Sequence, residues 1–197
     1  ASNCKVRWCP GCGDFMVLNV FQDMLAKQGK EPHNVAVISG IGCSSRFPYY
    51  MGTYGVHTSH GRAPAAAIGV KEANPDLETW VITGDGDAMS IGGNHFYHTI
   101  RRNHDLKILM FNNSIYGLTK GQYAPTSKMG TVTASSPHGS IDYPINTVAT
   151  ALGANGAFVA RSVDNDKKHL AEVMTAASEF NGTAMVELFV DCITYQK

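Results

Sequence analysis

Two groups of residues in this chain are of types that carry cofactor chemistry. The first is Gly84-Asp85-Gly86-Asp87 together with Asn112-Asn113. A carboxylate and an amide oxygen are hard donors that suit Mg²⁺, which prefers octahedral oxygen coordination and usually shares it with substrate phosphates. Glycines at 84 and 86 let backbone N–H groups approach those phosphates, and a helix beyond them adds its positive end. The second group is four cysteines: Cys9 and Cys12 in Trp8-Cys9-Pro10-Gly11-Cys12-Gly13, Cys43 in Ile41-Gly42-Cys43-Ser44, and Cys192 near the end. Four soft thiolates suit an iron–sulfur cluster or a structural zinc, and their spacing does not choose between the two.

Both groups depend on elements that bring them to one place. Short apolar runs alternate with amphipathic stretches, the pattern of an open, mostly parallel α/β sheet with helices on both faces. Strands are expected at Val35–Ser39, Thr79–Thr83, Lys107–Phe111, Ala157–Ala160 and Ala184–Phe189, and helices at Phe15–Lys27, Ala63–Ala73, Ile91–Arg102, Ile145–Leu152 and Lys167–Phe180. Gly29 reads as a helix cap, and Pro75 as the reason the alanine-rich helix stops. The stretch from Asn112 to Asp142 has no period and many Gly, Ser, Thr and Pro residues; long loops of that kind are usually functional or mobile. In a parallel sheet, Cys43, Asp85, Asn113 and Cys192 all follow strand ends on the edge where ligands bind.

The 197 residues, 44% hydrophobic and 16% charged, are expected to form a single domain (1–197) with an N-terminal cysteine loop. Sixteen basic residues balance sixteen acidic ones with no long basic run, so no footprint for nucleic acid or membrane is visible. With no apolar span or signal-peptide core, the expected location is the cytoplasm. Five cysteines in such a setting point to metal or redox chemistry more than to a disulfide framework.

Bland readings compete with each motif. Gly-Asp-Gly alone is a turn between strand and helix; Cys-x-x-Cys alone is a dithiol or zinc turn; Cys43 or Cys192 alone is a small buried hydrophobe. A phosphatase of the haloacid dehalogenase type would need an upstream Asp-x-Asp nucleophile, and before residue 100 only Asp85-x-Asp87 itself has that spacing. The interval from Gly-Asp-Gly to Asn112-Asn113 resembles the thiamine diphosphate fingerprint, a phosphate nest with a metal.

Taken together, WCPGCG (8–13), SGIGCSSR (39–46), GVHTSHGRA (55–63), GDGD (84–87), FNNSIYGLTKGQ (111–122), PTSK (125–128), FVAR (158–161) and CITY (192–195) resemble the β subunits of the 2-oxoacid:ferredoxin oxidoreductases over almost the whole chain. The resemblance implies a thiamine diphosphate-binding fold. It implies Mg²⁺ on Asp85, the Asn113 side chain and the Ile115 carbonyl. Thiamine diphosphate would touch Ile41, Gly42, Cys43, Ser44, Gly86, Asp87, Gly117 and Leu118. A [4Fe–4S] cluster would sit on Cys9, Cys12, Cys43 and Cys192, with Cys4 an incidental thiol. It also implies CoA-dependent oxidative decarboxylation of a 2-oxoacid, with electrons passing to ferredoxin, or the reverse reaction. The chain has no evident glutamate to activate the aminopyrimidine, and in the family a partner α subunit supplies that half-site, in a heterodimer or (αβ)₂ assembly.

Around the reacting centre the expected residues are His60, Leu118 and Arg46, the last matching a cationic position that faces the substrate carboxylate. His57 in the same Gly-x-His-x-x-His segment reads equally well as a hydrogen-bonded structural histidine, and Lys120 is ambiguous. Tyr116–Gln122 resembles the 2-oxoglutarate and broad 2-oxoacid branch more than the pyruvate branch, so the expected substrate is 2-oxoglutarate, with pyruvate or broad specificity as the alternative. A zinc-stabilised module with a nucleotide-like pocket is the alternative from outside enzymology. β subunits of this family continue beyond the Cys-x-Thr-Tyr segment, whereas this sequence stops at Lys197, so a longer natural chain is expected.

Overall fold

The computed structural model describes residues 1–196; Lys197, where the shortened end was expected, lies outside the described residues. In chain order the elements are α1 (Asp14–Lys27), β1 (Val35–Ser39), α2 (Phe47–Tyr50), β2 (Tyr54–His57), α3 (Ala63–Ala73), β3 (Glu78–Gly84), α4 (Asp85–Met89) and α5 (Gly93–Arg102). There follow β4 (Lys107–Asn112), β5 (Ile115–Tyr116), β6 (Gln122–Tyr123), α6 (Thr147–Gly153), β7 (Phe158–Val163), α7 (Lys167–Glu179) and β8 (Ala184–Phe189). Six strands form one sheet in the order β2-β1-β3-β4-β8-β7, every neighbouring pair parallel.

Strands β1 and β4 are buried along their whole length, as parallel strands with both faces covered must be. Because side chains alternate across a strand, each contributes to two cores. Val35, Val37, Trp80, Ile82, Leu109, Phe111, Val186 and Leu188 face α1, α2 and α7, whereas Ala36, Ile38, Val81, Ile108, Met110 and Met185 face α3, α5 and α6. Phe21 of α1 meets Trp80 edge to face at 4.9 Å, a geometry worth about 0.5–1.5 kcal/mol beyond the area buried. Helix α1 ends as its glycine signals: Gly29 takes φ +64°, and Lys30 N–H and Gly29 N–H close on the Leu25 and Ala26 carbonyls at 3.0 and 3.1 Å.

Chain direction reverses beside β1. From β1 the chain moves outward to β2, then returns to place β3 on the other side of β1. That reversal opens a crevice at the C-terminal ends of β1 and β3, the position at which open α/β sheets bind ligands.

Several expectations needed correction. The helix expected over Ile91–Arg102 begins at Gly93, and the Gly84–Gly86 segment, which by itself reads as a turn, already enters α4 at Asp85. Strand β2 was not foreseen, since all four of its residues are exposed at the sheet edge and Tyr-Gly-Val-His carries no burial pattern. Inside the long irregular stretch, β5 and β6 pair as a two-residue antiparallel ladder. Strand β7 runs to Val163 rather than stopping at Ala160, because its partner β8 continues alongside it to Phe189.

At the N-terminal edge of the sheet, Asp105 binds Lys107 at 2.6 Å and Lys71 at 3.0 Å. Partial burial works against ionisation, but these lysines outweigh it and lower the carboxyl to about 2 from 3.8. A depressed folded value means the pairing adds stability that is complete above the unfolded value and lost as pH falls through about 2. Asp105→Asn is therefore expected to flatten the melting temperature between those two values and to lower it at pH 7. An unchanged acid slope would remove Asp105 from that role.

Candidate functional site

The crevice holds a cavity of about 440 Å³. Its walls come from the loop after β1 (Ile41, Gly42, Cys43, Ser44), the β3–α4 junction (Gly84 to Asp87), His60, Asn113, and the hairpin residues Ile115 to Thr119. Gly42 has φ +145°, a conformation side-chain-bearing residues avoid, which lets that loop fold over the strand end. Gly86 has no room for a side chain, since a Cβ there would fall 2.3 Å from the Tyr116 ring. The Tyr116 hydroxyl donates to the Gly86 carbonyl at 3.0 Å, fastening the hairpin to α4.

Asp85 is buried against this cavity, and burial pushes its carboxyl up to about 6 even though Thr126 and backbone N–H groups of Asn113 and Gly86 hydrogen-bond to it. The Thr126 hydroxyl donates to Asp85 Oδ2 at 2.5 Å. Among the described residues no basic side chain forms an ion pair with Asp85. A buried carboxylate without a cation is costly. A metal ion at the cavity wall removes that cost, so the donor set fits a hard divalent cation. The two asparagines divide the work. Asn112 points inward, its Nδ2 donating to Glu187 at 2.7 Å and its Oδ1 accepting from Ser114 N–H at 3.1 Å. Asn113 lines the cavity, with Oδ1 accepting from Ile115 N–H at 3.2 Å.

Asp87, expected as a cofactor contact, lines the cavity and is also held by the protein around it. Its Oδ1 accepts from Ile41 N–H at 3.0 Å and Gly61 N–H at 2.7 Å and lies 2.9 Å from His60 Nδ1, while Oδ2 accepts from the Thr83 hydroxyl at 2.6 Å. With both oxygens engaged by the protein, this carboxylate ties the β1 loop and His60 to β3. His60 lines the cavity with Nδ1 on the Asp87 side. His57 instead sits 2.9 Å from the Ser39 hydroxyl and 3.1 Å from the Ser45 carbonyl, in a structural position.

A second cavity of about 220 Å³ adjoins the first, and Cys9, Cys12, Cys43 and Cys192 all line it. Trp8 anchors the N-terminal loop here, its indole N–H donating to the Cys43 carbonyl at 2.7 Å and its ring 4.9 Å from Tyr50. Cys12 N–H closes a turn on the Cys9 carbonyl at 3.0 Å. All five cysteines are free thiols, with Cys4 exposed. A single zinc ion would hold its sulfurs about 2.3 Å from one centre. Among the described residues no three His, Cys, Asp or Glu side chains converge in that way. The Cys43 and Cys192 sulfurs are each 3.5 Å from the point a Gly117 Cβ would occupy. Burial, with Asp14 next in order, pushes the Cys12 thiol up to about 12 and the Cys43 thiol to about 11. Metal loading must therefore displace protons.

The two cavities share Asp14, Cys43, Asn113, Gly117 and Leu118 as a common wall. Arg46 lines only the cysteine side, its guanidinium donating to the Arg7 carbonyl at 3.1 Å. Lys120 is exposed with φ +81° and lines neither cavity. Two residues went unnoticed in the sequence. Asp14, buried and raised to about 7 by burial and then by Asp164, resembles any acidic residue in a first helical turn. Thr126 lies in Pro-Thr-Ser-Lys, where no local period marks it.

Residues 40–188 match the family described as thiamine pyrophosphate enzyme, C-terminal TPP binding domain. The chain is 57% identical over 191 residues to the 2-oxoglutarate oxidoreductase subunit KorB of Mycobacterium tuberculosis, covering 97% of this chain and 51% of that protein. It is 46% identical to the 2-oxoacid:ferredoxin oxidoreductase subunit beta of Saccharolobus solfataricus, over 95% of this chain and 62% of that one. The chain thus spans about half to two thirds of the length of these curated relatives. Among solved structures it superimposes on a 2-oxoglutarate:ferredoxin oxidoreductase from Magnetococcus marinus with 2-oxoglutarate, coenzyme A and succinyl-CoA bound. The TM-score is 0.98 and the identity 42%, over 100% of this chain and 67% of that one.

Proposed function

Because the chain belongs to the β subunits of the 2-oxoacid:ferredoxin oxidoreductases, within the thiamine diphosphate-binding enzymes, we propose that it forms the diphosphate and electron-exit side of an enzyme that converts 2-oxoglutarate and coenzyme A to succinyl-CoA and CO₂. The single observation that carries this reading is the shared wall: the cavity of Asp85 and Asn113 abuts the cavity of the four cysteines through Cys43, Gly117 and Leu118. When bound, thiamine diphosphate supplies the carbanion that lets a 2-oxoacid lose CO₂, and a [4Fe–4S] cluster accepts the electrons released.

The chain's own residues hold and orient these groups. Asp85, Asn113 and the Ile115 carbonyl would hold Mg²⁺, and Gly86 with Ile41 to Ser44 would admit the diphosphate at close range. Asp87 keeps His60 and the β1 loop in place. Cys9, Cys12, Cys43 and Cys192 would hold the cluster, and thin residues at the wall, Gly117 above all, keep the distance for electrons short. Leu118, which lines both cavities, would lie beside the reacting carbon. An α subunit supplies the aminopyrimidine side, ferredoxin takes the electrons, and the assembly is a heterodimer or (αβ)₂ in the cytoplasm. The free thiols suit a reducing compartment. No helix among the described residues is long and apolar enough to cross a membrane.

The test is an anaerobic assay of the chain co-purified with its partner, measuring CoA-dependent reduction of ferredoxin with 2-oxoglutarate and with pyruvate. The expected result is faster turnover of 2-oxoglutarate; equal inactivity toward both, or colourless protein containing zinc, overturns the reading. In the same assay Arg46→Ala is expected to raise KM for 2-oxoglutarate about 10–100-fold more than for pyruvate, the loss of one charge-assisted hydrogen bond being worth about 1.5–3 kcal/mol. Equal effects would leave Arg46 with only its Arg7 contact.

A further inference from the structure

Behind the cavity, buried hydrogen bonds run from β7 to Asn112 beside a second bond that reaches Asp85, and no motif in the sequence assigns them a role. Glu187 on β8 is 1% exposed. Its Oε2 accepts from Arg161 Nε at 2.6 Å, and its Oε1 accepts from Asn112 Nδ2 at 2.7 Å and the Thr147 hydroxyl at 2.5 Å. Surrounded by donors, this carboxylate fixes which way the Asn112 amide faces. With Nδ2 committed to Glu187, Asn112 Oδ1 must turn toward Ser114, where it accepts from the backbone N–H at 3.1 Å and the hydroxyl at 3.2 Å. Ser114 has φ +53°, a conformation that a non-glycine residue keeps only where its surroundings hold it. That turn carries Asn113 and Ile115 on either side.

Thr126 stands beside Asn112 and acts on Asp85 directly. Its hydroxyl lies 2.5 Å from Asp85 Oδ2 and 3.2 Å from Asn112 Oδ1, and its single proton goes to the nearer carboxylate. Asp85 is thereby held in the rotamer in which this bond forms.

We propose that Glu187 and Thr126 are positioning residues for the divalent cation: Glu187 orients Asn112 and so the turn that presents Asn113 and Ile115, and Thr126 holds Asp85 toward the same point. The proposal rests on the reading of Asp85, Asn113 and Ile115 as the cation's ligands. Groups one step removed from a metal typically contribute about 10–100-fold to its affinity, and a buried network of this kind acts as a unit.

The experiment uses the chain co-purified with its partner, freed of metal by chelation. Thiamine diphosphate binding is followed by tryptophan fluorescence while Mg²⁺ is titrated, and separately while the cofactor is titrated at saturating Mg²⁺. Thr126→Val, nearly isosteric, is expected to raise the half-saturating Mg²⁺ concentration about 10–100-fold, with the melting temperature and iron content held. Thr126→Ser should return it to the wild-type range, and Glu187→Gln, which places an NH₂ among donors, should shift it in the same direction as Thr126→Val does. A folded Thr126→Val protein with wild-type Mg²⁺ dependence overturns the proposal, as does a Thr126→Ser protein that shifts as far as the valine variant. If Glu187→Gln fails to fold, the Thr126 pair decides alone. Wild-type protein that binds thiamine diphosphate without any Mg²⁺ dependence would instead overturn the ligand reading underneath.

Discussion

Asp85→Ala is expected to abolish Mg²⁺-dependent binding of thiamine diphosphate and, with it, all turnover, while the chain remains folded. Asp85 is buried at the cavity, no basic side chain forms an ion pair with it among the described residues, and burial holds its carboxyl at about 6. Asp87, two residues on, already accepts from the Ile41 and Gly61 N–H groups and the Thr83 hydroxyl, which hold it toward the protein. Loss of a direct anionic ligand should exceed the about 10–100-fold effect of an outer partner, so no binding is expected at millimolar Mg²⁺. Removing an unpaired buried charge should not unfold the protein, since the group's desolvation is a cost to the folded state. Asp85→Asn keeps an acceptor for Thr126 and should bind the cofactor weakly at best. Titration of thiamine diphosphate with and without Mg²⁺ checks both variants. Wild-type binding by Asp85→Ala would move the metal elsewhere and take the diphosphate assignment with it.

The second large effect concerns iron. Cys43→Ser is expected to lower the iron content from about four atoms per chain, the number a [4Fe–4S] centre holds, to near zero. The serine variants of Cys9, Cys12 and Cys192 should behave alike, because all four thiols line the same cavity and none has a disulfide partner. Cys4→Ser, exposed and outside that cavity, should keep full iron. Cys43 differs from the other three in one respect: it also lines the Asp85 cavity. Its substitution should therefore weaken thiamine diphosphate binding as well, whereas Cys9→Ser should leave binding within the wild-type range while electron transfer to ferredoxin is lost. Iron analysis and the electron paramagnetic resonance of dithionite-reduced protein measure the first effect, and fluorescence titration the second. Iron retained in Cys43→Ser, or iron lost in Cys4→Ser, would reassign the cluster.

How legible each feature was follows from where its determinants lie. The strand Val35–Ser39 and the helix Ala63–Ala73 have in the structure the limits the sequence predicts. In the first every residue is buried and so every residue carries the signal; in the second a proline just beyond the end blocks continuation. The edge strand Tyr54–His57 was invisible because nothing covers it. Short α4 was missed because its Gly-Asp-Gly reads locally as a turn, and only the close approach of Gly86 to the Tyr116 ring shows why the glycine is there.

By itself the sequence determined the parallel α/β class and the inventory of donors: a carboxylate and paired asparagines at successive strand ends, four thiols outside any disulfide, and the string of motifs shared with the 2-oxoacid:ferredoxin oxidoreductase β subunits. Tertiary structure alone decided which donors stay free for a ligand. Asp87 turned inward to hold two loops, Asp14 came to stand in the wall between two cavities, and Glu187 and Thr126 reached Asn112 and Asp85 across 75 and 41 residues of chain. The physical reason is range. Burial and capping are set by neighbours a few positions away and leave a period in the sequence, whereas a buried polar contact between distant strands depends on sheet register and leaves none.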